Sequence, residues 1–273
     1  MNIPVKIVDT TLRDGEQSAG VMFTEKEKIK IVELLDEIGV EWIEAGTPAL
    51  GSDEEATLKK LFDLKLNTSK LIAWNRANRD DVLKSINCGF EYIHISVPIS
   101  DLHLKVKLNT CREEIFKRFE NAVCFAKKSS CIVFAGAEDA SRATTEEFIN
   151  FANFASELGV ERIRYADTIG CLEPFIIRSK FEKIVNESPI PIEFHGHNDF
   201  GLATANALAA CQSRVEFVST TINGIGERAG NACFESVVGS LYSLYGYEVY
   251  KGKNDIIKKL NKLVKDIVEY CHK

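Results

Sequence analysis

The feature that most constrains the fold of this chain is a repeated alternation of short apolar runs with amphipathic stretches. Each stretch that follows an apolar run repeats its apolar residues every three to four positions, as an amphipathic helix does. Strict alternation of strand and helix requires parallel strands, because each helix returns the chain to the same end of the sheet. The eight predicted strands lie at residues 5–8, 42–45, 71–74, 92–97, 131–135, 162–166, 192–194 and 217–220.

The helices that follow these strands carry recognisable boundary signals. Thr24, with Glu27 three residues later, has the sequence of a capping box and predicts a helix through Ile38. Gly39 then predicts the end of that helix, because glycine is common at helix C-termini. The other predicted helices lie at residues 53–64, 80–87, 111–128, 145–158, 173–186, 203–212 and 232–245.

Eight such strand–helix units predict a closed (β/α)8 barrel, the TIM-barrel architecture, which typically takes about 250 residues. An open, doubly wound parallel sheet is the alternative. No G-x-G-x-x-G motif follows the first predicted strand, which removes the main argument for that alternative. We therefore expect a TIM-barrel domain over residues 1–250 and an additional C-terminal amphipathic helix within residues 251–273.

The predicted C-terminal helix, at residues 255–270, has an apolar stripe on one face and lysines on the opposite face. A stripe of this kind is normally covered by another apolar surface. We interpret the helix as a docking or oligomerisation element rather than as a binder of nucleic acid or membrane. The stripe consists of Ile256, Ile257, Leu260, Leu263, Val264 and Ile267.

The composition argues against several classes of protein. A formal net charge of -6 disfavours a dedicated nucleic-acid surface. No apolar run approaches the roughly 20 residues needed to span a bilayer, so no membrane partner is expected. The eight cysteines form no C-x-x-C pair and no signal peptide is recognisable. We therefore expect a cytoplasmic protein with reduced and mostly buried thiols.

Polar residues cluster at the predicted carboxyl ends of the strands. In a TIM barrel these ends meet at one rim, which is where the active sites of such barrels lie. The rim residues in chain order are Arg13, Asp14, Glu44, Arg76, His94, Ser96, Glu138, Asp139, Arg142, Asp167, Thr168, His195 and His197, followed by the loop GIGERAGN at 224–231.

Two of these residues, His195 and His197, lie two positions apart on one predicted strand, so both imidazoles project from the same face. The pair alone is equally compatible with two ordinary strand-end histidines. Asp14 adds a carboxylate, and the mixed nitrogen and oxygen set leaves positions open for water and substrate, which suits a catalytic divalent ion. Asn231 offers a carbonyl oxygen as a fourth ligand. No thiolate belongs to the set, so Mg²⁺, Mn²⁺ and Zn²⁺ are all admissible.

Three motifs of the chain resemble a known enzyme family. The stretches DTTLRDGEQ at 9–17, FHGHND at 194–199 and NGIGERAGN at 223–231 look like the metal-dependent acyltransferases of the isopropylmalate and homocitrate synthase family. The related aldolases and 3-hydroxy-3-methylglutaryl-CoA lyase share that barrel. The resemblance runs from about residue 7 to the end of the eighth helix. Two further segments, IHISVPISDLHLKVKL and GAEDASRA, look most like the homocitrate synthases associated with nitrogen fixation.

This resemblance implies a Claisen-type condensation of acetyl-CoA with a 2-oxo acid, first of all 2-oxoglutarate, which gives homocitrate. A metal ion on Asp14, His195 and His197 would chelate the ketone and carboxylate oxygens of the oxo acid. Arg13 would stabilise the oxygen that gains negative charge as the thioester enolises and attacks.

The resemblance also implies roles for the other rim residues. Thr168 and His94 would hold the carboxylate of the oxo acid, and Glu138 would transfer a proton or orient water. Arg76 would reach a distal carboxylate, although an exposed arginine at a helix start is an equally good interpretation. Arg142, like Glu138, matches a polar position of the family's fifth strand and is a candidate substrate contact. Ser96 is a further candidate for substrate binding at the rim.

The chain departs from the family pattern after the barrel. The synthases of the family continue into a small subdomain that supplies a histidine and a tyrosine for acetyl-CoA activation, whereas this chain ends one helix after the barrel. His272 is poorly placed to replace that histidine. We therefore expect a homo-oligomer or a hetero-oligomer, and favour the barrel subunit of a split synthase whose second subunit carries the missing region. The apolar stripe at residues 256–267 is a candidate contact surface for it.

Several alternatives remain open. The reaction could be that of an isopropylmalate, citramalate or Re-type citrate synthase. A carbon–carbon lyase is disfavoured, because the related lyases place a reactive cysteine in the glycine-rich loop, whereas here Cys233 lies in the next predicted helix, where we expect it to be buried. The chain could also be a non-catalytic regulatory subunit, but a scaffold would have no use for the full set of Arg13, Asp14, His195, His197 and Asn231.

Overall fold

The computed structural model describes residues 5–272, and these residues form a closed barrel of eight parallel strands. Each strand pairs with the next in chain order, and the eighth pairs with the first, so that Asp9 lies beside both Ile43 and Thr220. The predicted TIM barrel is therefore confirmed. The strands are β1 (Lys6–Asp9), β2 (Trp42–Gly46), β3 (Lys70–Arg76), β4 (Tyr92–Pro98), β5 (Ile132–Glu138), β6 (Arg162–Asp167), β7 (Ile192–Gly196) and β8 (Phe217–Thr220).

Helices on the outside of the barrel connect consecutive strands. Their apolar faces pack on the outward-facing strand residues and form one continuous core. The eight helices that follow the strands are α1 (Glu25–Ile38), α2 (Ser52–Leu61), α3 (Arg79–Cys88), α4 (Arg112–Lys128), α5 (Thr145–Glu157), α6 (Pro174–Glu187), α7 (Ala203–Gln212) and α8 (Phe234–Tyr245), and α9 (Asn254–Cys271) follows α8.

The predicted start and end of α1 are both confirmed. The Thr24 side chain accepts a hydrogen bond from the Glu27 backbone, and the Glu27 carboxylate accepts one from the Thr24 backbone. At the other end, Gly39 adopts a left-handed conformation with φ of 98°. Glycine has no Cβ, so it adopts this conformation without the strain that another residue would incur.

Several boundaries differ from the prediction. β5 runs on to Glu138, because its register with β4 continues to the pair Pro98 and Glu138. Glu138 is therefore the last residue of a strand rather than part of the following loop. α2 ends at Leu61 instead of residue 64, because the chain tightens into a turn in which the Phe62 N–H bonds to the Lys59 carbonyl.

The interior of the barrel is apolar at the end where the strands begin and charged nearer the end where they finish. Val8, Trp42, Ile72, Phe134 and Phe217 form a separate apolar cluster that closes the amino end. Above this cluster the interior holds buried charged side chains from β2, β6 and β7, which are described below. The charged layer therefore separates the apolar plug from the carboxyl-end rim.

The C-terminal helix α9 lies against the outside of the barrel, next to α1 and the turn after β8. Leu260, Val264 and Ile267 are buried in the main core, and Ile256, Ile257 and Leu263 pack against it. The same chain thus covers the stripe that the sequence suggested as a partner contact, and that interpretation of the stripe is wrong. The physical reason is that the barrel itself offers an apolar surface to α9. The predicted division at residue 250 stays a prediction.

The cysteines are all free, as expected, but most of them are not buried. Cys88, Cys131 and Cys211 are buried, while the other five are partly or fully exposed. Cys233, predicted to be inside a helix and buried, precedes the first residue of α8 and is partly exposed. Among residues 5–272, none of the helices combines the length and the apolar character that crossing a lipid bilayer requires.

Candidate metal centre and active site

The strand β7 presents two imidazoles at the carboxyl-end rim. His195 lies on β7 and His197 lies just beyond its end, and both side chains are buried. Their Nε2 atoms approach to 3.3 Å. The Gly196 between them is tightly enclosed, because a Cβ at that position would lie 2.9 Å from the Phe194 ring. Because His195 and His197 lie two residues apart along an extended stretch, their imidazoles project from the same face and meet at one point.

A carboxylate reaches this point from the turn after β1. The Asp14 N–H donates to the Thr10 carbonyl at 2.8 Å, so the chain turns back over the end of its strand. The Asp14 Oδ2 atom then lies 3.4 Å from His195 Nε2. One ligand atom from each of Asp14, His195 and His197 lies within 4.8 Å of the others, and all three residues are buried.

The chemistry of these three residues fits a divalent metal ion. Burial, followed by the neighbouring His195, lowers the pKa of His197 to about 4, so this imidazole is neutral near pH 7. Burial alone would raise the pKa of Asp14, but the Arg13 guanidinium and His195 outweigh it and hold the pKa well below its usual range. Within the described residues, the Nδ1 atoms of both histidines have no hydrogen-bond partner. An ionised carboxylate and converging imidazoles are the ligands that a catalytic Zn²⁺ or Mn²⁺ site takes.

Asn231 lies beside Asp14 in the loop after β8. Its amide nitrogen donates to Asp14 Oδ1 at 2.7 Å and to the Ile225 carbonyl at 3.1 Å. Its carbonyl oxygen is buried and, among residues 5–272, has no hydrogen-bond partner. In this arrangement Asn231 orients the carboxylate of Asp14. The role of Asn231 as a fourth metal ligand stays a prediction.

Arg13 is held between the carboxylates of Asp14 and Glu44. It lies next to the three candidate ligands Asp14, His195 and His197, here called the metal-type cluster. Its Nη1 donates to Asp14 Oδ2 at 2.7 Å, and its Nε donates to Glu44 Oε2 at 2.6 Å. The guanidinium also lies 5.6 Å from the centre of the Trp74 ring. The planar guanidinium of arginine can donate hydrogen bonds to two partners and still present N–H groups to a third.

These groups line a cavity of about 380 Å³ at the carboxyl-end rim. Eight of the eleven residues proposed from the sequence line it, namely Arg13, Asp14, His94, Ser96, Glu138, Thr168, His195 and His197. The barrel thus brings together eight predicted residues from five different strands or the loops that follow them. The lining also includes Trp74, His103, Lys107, Gly136, Arg164, Glu227 and Arg228, which were not proposed as site residues.

His94 and Ser96 project from β4 towards Gly136 on the neighbouring strand. His94 is almost completely buried, and neither ring nitrogen has a hydrogen-bond partner within the described residues. Burial, and then the Arg164 charge, lower the pKa of His94 well below its usual value, so the ring is neutral. A Cβ on Gly136 would collide with His94 Nε2 and lie 2.7 Å from Ser96 Oγ. Glycine at position 136 therefore leaves the room that the His94 ring and the Ser96 side chain occupy.

Thr168 and Glu138 line the same cavity. The Thr168 hydroxyl oxygen accepts the Asp139 N–H at 2.8 Å, which leaves the hydroxyl proton available to another acceptor. Glu138 Oε1 accepts the Lys107 ammonium at 2.7 Å and lies 3.2 Å from His103 Nδ1. Lys107 and His103 come from a short π-helical turn after β4, and only their spacing in HLKVK could have indicated that both face the rim.

Two proposed substrate contacts lie outside the cavity and already have partners. Arg76 pairs bidentately with Asp81, at 2.7 and 2.9 Å, and its side chain is 68% exposed. Arg142 contacts both carboxylate oxygens of Asp139 at 2.8 and 2.9 Å. Neither Asp81 nor Asp139 could be identified as these partners from sequence spacing alone. The geometry does not favour the predicted contact of either arginine with the oxo acid.

A second cavity of about 620 Å³ adjoins the first at the ends of β3 and β4. Trp74, Ser96, Lys107 and Glu138 line both cavities and form the wall between them. The second cavity, here called the side cleft, has apolar residues of α4 on its floor and basic residues at its edge. Those basic residues are Arg76, Arg79, Lys107 and Arg118.

Fold and site together define a class: a TIM-barrel protein with a candidate divalent-metal centre at its carboxyl-end rim. The chain belongs to the HMGL-like family, because the pattern of that family matches residues 4–267.

Three relatives illustrate this membership. The chain is 48% identical over 242 residues to 2-isopropylmalate synthase 2 of Caldanaerobacter subterraneus subsp. tengcongensis, covering 89% of this chain and 63% of the relative. It is 44% identical over 262 residues to the homocitrate synthase subunit alpha of Clostridium pasteurianum, covering 96% and 97% of the two chains. It is 42% identical to homocitrate synthase 1 of Nostoc sp., covering 90% of this chain and 65% of the relative. The chain therefore spans about two thirds of two of these relatives and nearly all of the third.

Solved structures show the same fold at lower identity. The hydroxymethylglutaryl-CoA lyase of Pseudomonas aeruginosa superposes with a TM-score of 0.87 at 18% identity, covering 98% of this chain and 95% of the lyase. The HMG-CoA lyase of Bacillus subtilis gives 0.85 at 20% identity, covering 97% and 93%. At this identity the likeness concerns the barrel alone.

Proposed function

We propose that this protein is the barrel subunit of a metal-dependent acyltransferase that condenses acetyl-CoA with a 2-oxo acid. The substrate we propose is 2-oxoglutarate, which gives homocitrate. The observation that carries this proposal is the convergence of Asp14, His195 and His197 beside Arg13 in one cavity. The names of the relatives from Clostridium pasteurianum and Nostoc sp. support the choice of reaction.

The oxo acid would bind at the metal-type cluster. A divalent ion on Asp14, His195 and His197 supplies Lewis-acid polarisation of the ketone when it is bound. Thr168 has a free hydroxyl proton for the carboxylate of the oxo acid, and neutral His94 can donate one ring N–H beside it. These two residues would fix the orientation of the acid, so that one face of its carbonyl carbon is open to the thioester.

Arg13 and Glu138 would carry the chemical step. The acetyl methyl loses a proton to a base, for which Glu138 is our candidate, and the resulting enolate carbon bonds to C2 of the oxo acid. The ketone oxygen becomes an alkoxide that takes up a proton, and water then releases free CoA from the condensed thioester. Arg13 lies beside the cluster with both of its carboxylate partners in place, so it needs no rearrangement to stabilise the developing negative charge.

The side cleft would hold the thioester. Its apolar floor suits the pantetheine arm of CoA, and its basic edge suits the phosphates. Because the side cleft and the metal cavity share Trp74, Ser96, Lys107 and Glu138, an acetyl group entering from the cleft would arrive next to Glu138.

The polar lining of the metal cavity supports a dicarboxylic oxo acid. Lys107 and Ser96 lie at the wall where the distal end of such an acid would extend. A branched aliphatic oxo acid would instead require an apolar lining, because burying polar groups without partners is costly. The isopropylmalate-type reaction remains the second candidate, since the relative from Caldanaerobacter subterraneus that is 48% identical carries that name.

We further propose that a second polypeptide completes the active site. The relative from Clostridium pasteurianum, which this chain matches over 97% of its length, is named a subunit. Two other relatives extend well beyond the region that this chain matches. A subunit carrying that extra region would supply the groups for acetyl-CoA activation that the family resemblance implies.

The test measures free CoA with a thiol reagent and the product by mass spectrometry. The full chain, alone and together with the second-subunit probe described below, is incubated with Mn²⁺, acetyl-CoA and one of four oxo acids: 2-oxoglutarate, 3-methyl-2-oxobutanoate, pyruvate or oxaloacetate. We expect homocitrate from 2-oxoglutarate, and no product from an Asp14→Asn control. Faster turnover of 3-methyl-2-oxobutanoate would replace the proposed substrate, and no condensation of any acid, with or without a partner, would refute the function.

The split-subunit proposal needs its own comparison. The part of the Nostoc sp. relative that this chain does not match, expressed as a separate polypeptide, serves as the probe for the missing region. We expect CoA release from acetyl-CoA and 2-oxoglutarate to rise at least about tenfold when this probe is added. Full activity of the chain alone, unchanged by the probe, would contradict the need for a second subunit.

A further inference from the structure

Beneath the candidate metal centre, the barrel interior holds a row of buried side chains with alternating charge. Arg13, Glu44, Arg164, Glu193 and Arg162 follow one another from the carboxyl-end rim towards the apolar plug. Arg13 is nine-tenths buried, and the other four side chains are 3% exposed or less. The proposed reaction gives a role to Arg13 and leaves the others without one.

Glu44 is held from two sides. Its Oε2 accepts Arg13 Nε and Nη2, both at 2.6 Å. Its Oε1 lies 3.0 Å from Arg164 Nη2, and Oε2 also accepts Arg164 Nη1 at 3.3 Å. The carboxylate therefore cannot swing away from Arg13 without breaking its pair with Arg164. The two arginines together hold the pKa of Glu44 well below its usual range, although burial opposes them.

Arg164 connects opposite walls of the barrel. It extends from β6, and its Nε donates at 2.6 Å to Glu193 on the adjacent β7. Its Nη atoms reach Glu44 on β2, four strands away around the barrel. Only a long side chain with several donors in fixed geometry can bridge two carboxylates in this way. Since both ends are engaged, Arg164 has little capacity left to bind substrate itself.

We propose that Arg164 is a positioning residue: it fixes Glu44, and Glu44 in turn holds the Arg13 guanidinium in place at the metal centre. The expected effect on kcat rests on the proposed function, whereas the expected effect on the position of the Arg13 guanidinium does not. Without Arg164, two buried carboxylates would lose a shared cation, and the one that faces Arg13 would be free to move or take up a proton. Arg13 would then lose the constraint that aims it at the developing oxyanion.

Arg162 provides a matched control within the same strand. It lies two residues before Arg164, is as deeply buried, and pairs with the same Glu193 at 3.0 Å. Its guanidinium contacts the rings of Phe134 and Phe217 at 4.0 and 4.5 Å, in the apolar plug, and it makes no ion pair with Glu44 among those described. A purely structural role would make the two arginines equivalent, whereas a positioning role would not.

The kinetic test compares Arg164→Met, Arg164→Lys and Arg162→Met in the full chain, with its partner if one is needed. For Arg164→Met we expect kcat to fall at least about tenfold while KM for the oxo acid changes less than about threefold. Arg164→Lys should recover part of kcat, because it restores the charge but not the bridge. Arg162→Met should lower the melting temperature and leave kcat within about twofold.

A spectroscopic test works without turnover. The sequence contains two tryptophans, and in a Trp42→Phe background Trp74, which lies beneath the Arg13 guanidinium, is the only one left. Arg164→Met and Glu44→Gln should both change the emission maximum and acrylamide quenching of Trp74. Arg162→Met in the same background should leave both unchanged.

The outcomes separate this inference from the proposed function. If the unsubstituted chain shows no condensation, the proposed function fails and the Trp74 signal alone decides the role of Arg164. If Arg164→Met does not fold, the double variant Arg164→Met/Glu193→Gln removes opposite charges together, and the same loss of kcat and change at Trp74 are expected. Equal effects of the Arg164 and Arg162 variants on kcat and on Trp74 would overturn the inference.

Discussion

Asn231 donates a hydrogen bond of 2.7 Å to the carboxylate of Asp14, although the two residues lie 217 positions apart in the chain. Asp14 belongs to the turn after β1 and Asn231 to the loop after β8, and these two strands pair to close the barrel. Closure of the barrel therefore assembles the candidate metal centre. The orientation of a proposed metal ligand depends on a contact between the two ends of the fold.

Gly226→Ala should disturb this contact. A Cβ at position 226 would collide with the Asn231 amide and lie 3.2 Å from Asp14 Oδ1. We expect the Mn²⁺ affinity, measured by isothermal titration calorimetry, to fall about 10–100-fold, as is typical when a supporting contact of a metal ligand is lost.

The matched control is Gly239→Ala on the exposed face of α8, where a Cβ meets nothing within 4 Å. That variant should bind Mn²⁺ normally and be slightly more stable. Normal Mn²⁺ affinity in Gly226→Ala would contradict the orienting role of Asn231.

His195→Ala and His197→Ala should each abolish metal binding and leave the barrel folded. Each removes one of the three ligand atoms that lie within 4.8 Å of one another. We expect Mn²⁺ affinity to fall at least about 100-fold, since more is lost than when a supporting residue is changed. Circular dichroism should show an unchanged helical signal. His272→Ala, at the end of α9, is the control. Mn²⁺ binding that survives in both ligand variants would exclude the proposed site.

Arg13→Ala should affect the chemical step more than binding of the oxo acid. The proposed role of Arg13 is to stabilise charge that develops only in the transition state, so we expect kcat to fall about 100–1,000-fold. KM for 2-oxoglutarate should change less than about tenfold. Arg178→Lys on the exposed face of α6 serves as the control. A change in KM with normal kcat would assign Arg13 to ground-state binding instead.

The buried carboxyl group of Asp9 should make the free energy of unfolding depend on pH, independently of catalysis. Burial raises the pKa of Asp9 to about 7, against two hydrogen bonds from Thr11 and with added repulsion from Glu235 and Glu44. The folded state thus keeps a proton that the unfolded state releases near pH 4. This contribution to stability is fully present below about pH 4 and is lost as pH rises through about 7.

Replacing Asp9 by Asn should remove that dependence. The raised pKa of Asp9 corresponds to at most about 4 kcal/mol of unfolding free energy, because one pKa unit is about 1.4 kcal/mol. Urea unfolding at pH 5 and pH 8 should show that Asp9→Asn gains stability relative to the unsubstituted chain at the higher pH. Parallel pH profiles of the two proteins would show that Asp9 is ionised in the folded state throughout this range.

The sequence indicated the architecture because the relevant signals are local. Strand and helix periods, the capping box at Thr24 and Glu27, and Gly39 each act within a few residues. The spacing of His195 and His197 predicted a shared face for the same reason, since side chains alternate along a strand. Asp14 could be assigned to the same rim because all strands of a parallel barrel end there.

The partners of the charged side chains could not be inferred in this way. Arg76 is paired with Asp81 and Arg142 with Asp139, and neither arginine lines the cavity that holds the candidate metal ligands. The bridge from Arg164 to Glu44 joins strands 120 positions apart. Charged residues within otherwise apolar strands were the sequence signal that charges face the interior, namely Glu44, Arg162, Arg164 and Glu193.

The chain by itself thus determined which elements form, in what order they follow, and which residues lie at one rim, since those depend on periodicity and turn chemistry. Tertiary structure alone decided which charges meet, how Arg13 is held, and that α9 packs on its own barrel. The reason is that contacts such as those of Glu44 with Arg13 and Arg164 join residues that only the closed barrel brings together. The energy of any buried ion pair also depends on distances and burial that no local pattern contains.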